Sequence, residues 1–181
     1  LEAIGAHCFC SRVLEGPVPI PASVRSIGEG SFEYAVCRLE HTGTVVHVSA
    51  DQLLTCFLTD APDGVPFDYA RYDELLRSGK NLADRLGAVL HRLTVPYRLE
   101  DTTRAALVAY LREHEREAQQ RVAQEGERVM VEALVRDGFI DNRTFERQIE
   151  LLRACNRTDC VLYLMEQHRE QARPSGARER F

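Results

Sequence analysis

No apolar run in the 181-residue chain approaches the roughly 20 residues that a membrane-spanning helix requires. A charged segment followed by a short apolar one, the mark of a secretory leader, is also missing. The chain opens on Leu1 rather than methionine, which suggests a processed or truncated product. Neither sign of charge dominates: 23 Lys and Arg stand interspersed against 28 Asp and Glu, for a net charge of −5. That balance argues against a broad grip on nucleic-acid phosphates and against a polybasic membrane patch. No nucleic-acid partner and no transmembrane segment are therefore expected. The cysteines (Cys8, Cys10, Cys37, Cys56, Cys155 and Cys160) are too scattered for a disulfide framework. A chain of this length buries enough apolar surface without staples, so they read as free thiols packed as small apolar groups. His7, Cys8 and Cys10 are close in sequence but lack a second pair at finger-like spacing, so no metal is expected.

Catalytic signatures are missing too. There is no Gly-x-Ser-x-Gly elbow and no His-Glu-x-x-His helix, and none of His7, His41, His47, His91, His114 and His168 lies four residues from another. Cys37 with His41 or His47 is the one thiol–imidazole neighbourhood. A nucleophile needs that pair in contact and oriented by a third group, so the expectation is a buried thiol and a surface imidazole. Ile27-Gly28-Glu29-Gly30-Ser31-Phe32 imitates a kinase phosphate loop. Glu33 stands where a third glycine should let backbone meet phosphate, His47 stands where the lysine should be, and no His-Arg-Asp or Asp-Phe-Gly follows. Asp60, Asp63 and Asp68 surround a Pro-Gly loop and read as turn chemistry. Asn142-Arg143-Thr144 and Asn156-Arg157-Thr158 match the glycosylation pattern but read as helix caps. No catalytic residue and no cofactor are assigned.

Internal similarity is the most informative feature present. Leu1-Glu-Ala-Ile-Gly-Ala-His-Cys-Phe9 aligns with Val24-Arg-Ser-Ile-Gly-Glu-Gly-Ser-Phe32, placing Ile4 on Ile27, Gly5 on Gly28 and Phe9 on Phe32 at an offset of 23 residues. Pro19 and Pro21 favour an extended, turn-rich approach. Val24 and Ile27 then point into a shared core, Gly28 permits a tight corner, and Phe32 fills the coil. The run Ile20-Pro-x-Ser-Val-x-x-Ile-Gly28 and the Ile-Gly-x-x-x-Phe motif resemble leucine-rich repeats of the BspA-like type over about a quarter of the chain. The first copy departs after Phe9, at Cys10-Ser11-Arg12-Val13. The resemblance implies a surface or secreted protein of gut anaerobes and a binding role; if the parent protein lacks a leader, a cytoplasmic location follows instead.

From Pro66 the periodicity becomes helical. Tyr72, Leu75 and Leu76 form one stripe ended by Gly79, and Leu82, Leu86, Val89, Leu90 and Leu93 a second stopped by Pro96. Asp101 or Thr102 can cap a third helix, with Ala105, Leu107, Val108 and Leu111 on its apolar face. Residues 125–135 then lie over 155–165 at an offset of 30, each copy giving a helix, a Gly or Asn turn and a second helix. Asp137-Gly138 closes the first copy, Asp141 or Asn142 starts the next helix, and Phe145, Ile149 and Leu152 mark its buried side. The pattern resembles ankyrin repeats, although both copies lack the Thr-Pro-Leu-His opening. The whole segment from Phe67 also resembles a helical region found beside leucine-rich repeats in Firmicutes proteins.

The expected architecture is α+β: short leucine-rich-repeat coils over 1–50, a connector over 51–65, a mostly α, ankyrin-like domain over 66–172 packed against the coils, and a disordered tail over 173–181. Such stacks present extended surfaces, so the expected function is non-catalytic binding of a protein or surface ligand. The alternative is an enzyme accessory domain or a weak hydrolase with a concealed site. The binding face is placed on Arg128, Glu132, Arg136, Arg157 and Asp159.

Overall fold

The computed structural model describes residues 2–9, 16–32, 34–49, 55–57, 64–79 and 82–172. The fold is α+β and mostly helical. It divides into two compact units, Leu1–Glu113 and His114–Phe181. The stretch Cys10–Val13, most of the expected connector and the whole tail 173–181 lie outside the described residues.

The first unit opens with two coils laid side by side. Strand β1 (Ala3–Ile4) pairs in parallel with β3 (Ser26–Ile27), and Ile4 stands opposite Ile27, so the 23-residue offset is realised as strand register. Main-chain bonds extend the pairing: Arg25 N–H donates to the Glu2 carbonyl at 2.8 Å, Gly28 N–H to Ile4 at 2.8 Å, and Phe9 N–H to Ser31 at 2.8 Å. The rings of Phe9 and Phe32 stack with centroids 5.1 Å apart. On the next side of the coil β2 (Val18–Ile20) runs parallel to β4 (Tyr34–Leu39), with Ile20 opposite Leu39. Ile20, Val24, Ile27, Phe32 and Leu39 all point inward and are buried. A coil cannot bury these side chains alone; its neighbour completes the core.

Gly28 holds its place for a different reason from the corner expected of it. Its φ is not left-handed; a Cβ there would lie 2.4 Å from the Ala6 nitrogen and 2.7 Å from the Gly5 carbonyl carbon. The close approach of the two coils excludes any side chain at this position.

Strand β5 (Val45–Ser49) returns antiparallel to β4. Three helices follow: α1 (Tyr69–Ser78), α2 (Arg85–Thr94) and α3 (Asp101–Glu113). Asp68 and Asp84 cap the first two, accepting from Arg71 N–H and Gly87 N–H respectively. Tyr72, Leu76, Val89, Leu90, Leu93, Leu107 and Leu111 are buried, but Ala105 is exposed, so the apolar stripe of α3 is narrower than expected. Asp101 already lies inside α3 rather than capping it. Helix α2 packs on β5, and the three helices pack on one another. The division expected at residue 66 therefore falls inside this unit. The Tyr72 hydroxyl accepts the His47 N–H at 2.9 Å, covering a polar group on the open edge of β5.

The second unit contains α4 (Glu115–Glu125), α5 (Arg128–Arg136), α6 (Phe145–Ala154) and α7 (Thr158–Ala172). These form two helix pairs. Helices 30 residues apart in sequence lie against each other, α4 on α6 and α5 on α7. The turns correspond as well: Gly126 and Asn156 both take left-handed backbone, with φ of 63° and 57°. Asn is the residue after Gly that accepts this region most readily, which explains the exchange at equivalent positions. Asp141 starts α6 through its side chain, which accepts from the Arg143 and Thr144 N–H groups. Ile149 and Leu152 are buried and Phe145 half-buried, as the periodicity indicated.

Candidate functional site

The five residues picked from sequence do not form one cluster. Arg128 and Glu132 lie one turn apart on α5 and are bonded at 2.7 Å, Nε to Oε1. The Arg128 guanidinium also sits 5.3 Å from the centre of the Tyr163 ring on α7. Asp159, on the first turn of α7, meets Arg128 at a shallow groove of about 440 Å³ that Leu162, Tyr163, Met165, Glu166 and Arg169 also line. The other two are used differently. Arg136 pairs with Asp137 at 3.0 Å. Arg157 lies across Gly126, where a Cβ would meet its Nε at 2.0 Å, and donates to the Gln124 carbonyl at 2.5 Å. It closes the turn between α4 and α5 rather than facing a ligand.

Two exposed apolar residues of these two helices escaped the sequence reading. Val129 is 57% exposed and Leu162 62% exposed, the two most exposed large apolar side chains among the described residues. Both belong to helices that bury several other apolar residues: Met130, Val131, Ala133 and Leu134 on α5, Cys160, Val161 and Leu164 on α7. Single exposed apolar residues are ordinary on protein surfaces. Here Leu162 lines the groove, while Val129 follows Arg128 in the sequence of α5. Burial, and after it the Glu132 carboxylate, push the Tyr163 phenol up, so it stays neutral and offers a hydroxyl beside the apolar surface. The face thus combines an apolar anchor point, an aromatic ring and charges of both signs, the usual composition of a protein-contact surface.

In the first unit the fold assembles a group that sequence distance conceals. Because side chains alternate across a sheet, Val36 and its cross-strand partner His47 share one face, while Cys37 and its partner Val46 share the other. Cys37 and His47 therefore point to opposite sides. Burial pushes the Cys37 thiol up to about 12, so it is protonated and inert at neutral pH. His47 is not the surface imidazole expected; it is 1% exposed. Its Nδ1 lies 2.8 Å from the Tyr34 hydroxyl and 3.9 Å from Asp84 Oδ2, and its Nε2 lies 2.7 Å from Nδ1 of His91 on α2. His47 and His91 are 44 residues apart in sequence, and only the packing of α2 on β5 joins them.

His41 lies in the β4–β5 turn, where burial and then the Arg25 charge lower its pKa. Cys10, the third member of the sequence-level metal group, is outside the described residues. Among the described residues no group of three or more His, Cys, Asp and Glu is placed to hold a metal ion. No helix among them is long and apolar enough to cross a membrane.

No family model, curated protein or solved structure matches the chain.

Proposed function

We propose that the chain is a non-catalytic protein-binding module of the leucine-rich-repeat kind, with its contact face on α5 and α7. The observation that carries this reading is the groove beside Leu162, where an apolar side chain stands in solvent among Arg128, Tyr163, Asp159 and Glu166. In stacked helix pairs each helix buries one side against its neighbours, and the opposite side is left to recognise partners. The partner is a protein segment with an apolar side chain to cover Leu162 and charged residues on either side of it. The parallel coils in 23-residue register and the helix pairs in 30-residue register support the repeat-protein part of the reading.

The enzyme alternative gains little from the Tyr34–His47–His91 group. Both ring nitrogens of His47 are engaged inside the fold, so it has no atom to present to a substrate.

The test is selection of a displayed random-peptide library on the full chain. Selected peptides are expected to carry an apolar residue flanked by charges. They should lose about tenfold or more in affinity for Leu162→Glu, the equivalent of ~1.4 kcal/mol, and keep it for Glu146→Lys on the exposed side of α6. Peptides indifferent to Leu162→Glu would contradict the assignment.

A further inference from the structure

We infer that the α5–α7 face takes a second copy of this chain, with the two α7 helices seated against each other in antiparallel fashion. The inference rests on the contact face proposed above and names its occupant.

The order of residues along α7 carries the argument. Cys160, Val161 and Leu164 are buried on one side of the helix. Asp159, Leu162, Glu166 and Arg169 are exposed on the other, with Met165 half-buried beside them. At 3.6 residues per turn these five fall within about 120° of the helix circumference, one continuous stripe. Its N-terminal end is an acid, its middle carries Leu162 and Met165, and its C-terminal end is a base. The end charges are not consumed inside the chain. Arg169 has no hydrogen bond, ion pair or ring contact among the described residues, and Asp159 makes no salt bridge there.

Such a stripe complements itself when reversed. A two-fold axis crossing α7 at the level of Leu164 sets Asp159 opposite Arg169 of the second copy, and the symmetry repeats the pair at the other end. With a rise of about 1.5 Å per residue, the two ion pairs stand about 7.5 Å on either side of the axis. Leu162 and Met165 of both copies lie within about 3 Å of it along the helix, so the apolar groups meet in the middle and cover one another. Glu166 falls opposite Leu162 of the second copy and faces the charge of Arg128 in its own chain. Parallel helices related by a two-fold would set Asp159 against Asp159 and Arg169 against Arg169, which like-charge repulsion disfavours. A contact between two 15-residue helices stays below the ~1,200 Å² of a stable complex, so the dimer forms and dissociates with concentration.

The experiment is sedimentation equilibrium of the full chain from about 10 µM to about 1 mM, where the mass should rise from that of one chain toward that of two. Asp159→Arg and Arg169→Asp each set like charges opposite one another at both ends of the contact, and each should weaken the dimer about tenfold or more. Mixed one to one, the two variants again place opposite charges at both ends, and the dimer should return to near its original strength. A chain that stays monomeric throughout would overturn the inference, and so would a dimer indifferent to both substitutions. A dimer lost in both variants, with their helical circular dichroism unchanged, and not restored by mixing would overturn it as well. Library peptides that bind a monomeric chain through Leu162 would remove the second copy alone and leave the contact face standing.

Discussion

Asp73→Asn should destabilise the first unit severely, and the structure indicates by how much. Arg92 is completely buried, and Asp73 nearly so. The guanidinium is held in fork geometry, Nε to Oδ1 at 2.6 Å and Nη2 to Oδ2 at 3.0 Å. It also donates to the Tyr97 carbonyl at 3.0 Å and lies 5.1 Å from the centre of the Tyr69 ring. Removing one partner of a buried pair leaves the other charge uncompensated, at a cost of about 3–5 kcal/mol. Asn keeps one acceptor oxygen for the fork, which places Asp73→Asn near the lower end. Arg92→Leu should cost more, because it strands the carboxylate and also leaves the Tyr97 carbonyl without its donor, roughly a further 1 kcal/mol. For a unit of about 100 residues, a loss of 3 kcal/mol lowers the melting temperature by about 12 °C or more. Tyrosine fluorescence under urea reports the right unit, because five of the six tyrosines (Tyr34, Tyr69, Tyr72, Tyr97 and Tyr110) belong to it and the chain has no tryptophan. A loss below about 1 kcal/mol for Asp73→Asn, at unchanged m-value, would refute the reasoning, since only a solvated pair is that weak.

Gly28→Ala tests the stacking of the coils. The new methyl meets backbone of the preceding coil, which cannot turn aside, so a loss of about 2 kcal/mol or more is expected by urea titration, whereas Gly43→Ala, with nothing within 4 Å, should cost only its backbone strain. In native labelling with a maleimide followed by mass mapping, Cys8 should react first and Cys155 next. Cys37 and Cys56, each raised to about 12 mainly by burial, should stay unlabelled until the unit unfolds. The lowered pKa of His41 gives stability a pH dependence. The folded state resists a proton that the unfolded chain accepts near ~6.5, so stability falls as pH drops below that value. His41→Gln should flatten that part of the profile in equilibrium denaturation at pH 7, 6 and 5; an unchanged profile would show that His41 does not contribute to it.

The repeats were legible in the sequence because stacking demands the same residue type at the same point of each turn. Ile4 and Ile27 are alike because they are neighbours across β1 and β3. Gly126 and Asn156 correspond because both turns need left-handed backbone. The unit boundary was not legible. Helices α1–α3 carry the same periodicity as α4–α7, and what assigns them to the first unit is the face they bury, such as α2 on β5, which periodicity does not specify. The same limit hid the histidine pair: a spacing search finds partners within one helix or strand, not a strand residue and a helix residue 44 positions apart. On the proposed contact face Arg128 and Asp159 stand out in the sequence by their charge. Val129 and Leu162 were missed because they stand among buried apolar residues in the same runs, where sequence alone does not separate inside from outside.

The most direct test of the binding assignment is amide shift mapping of the full chain with a library-selected peptide. The account predicts that shifts concentrate on α5 and α7, at Arg128, Val129, Glu132, Asp159, Leu162 and Glu166, and vanish for Leu162→Glu. Shifts confined to the coils or to α1–α3 would contradict it and move the contact face to the first unit.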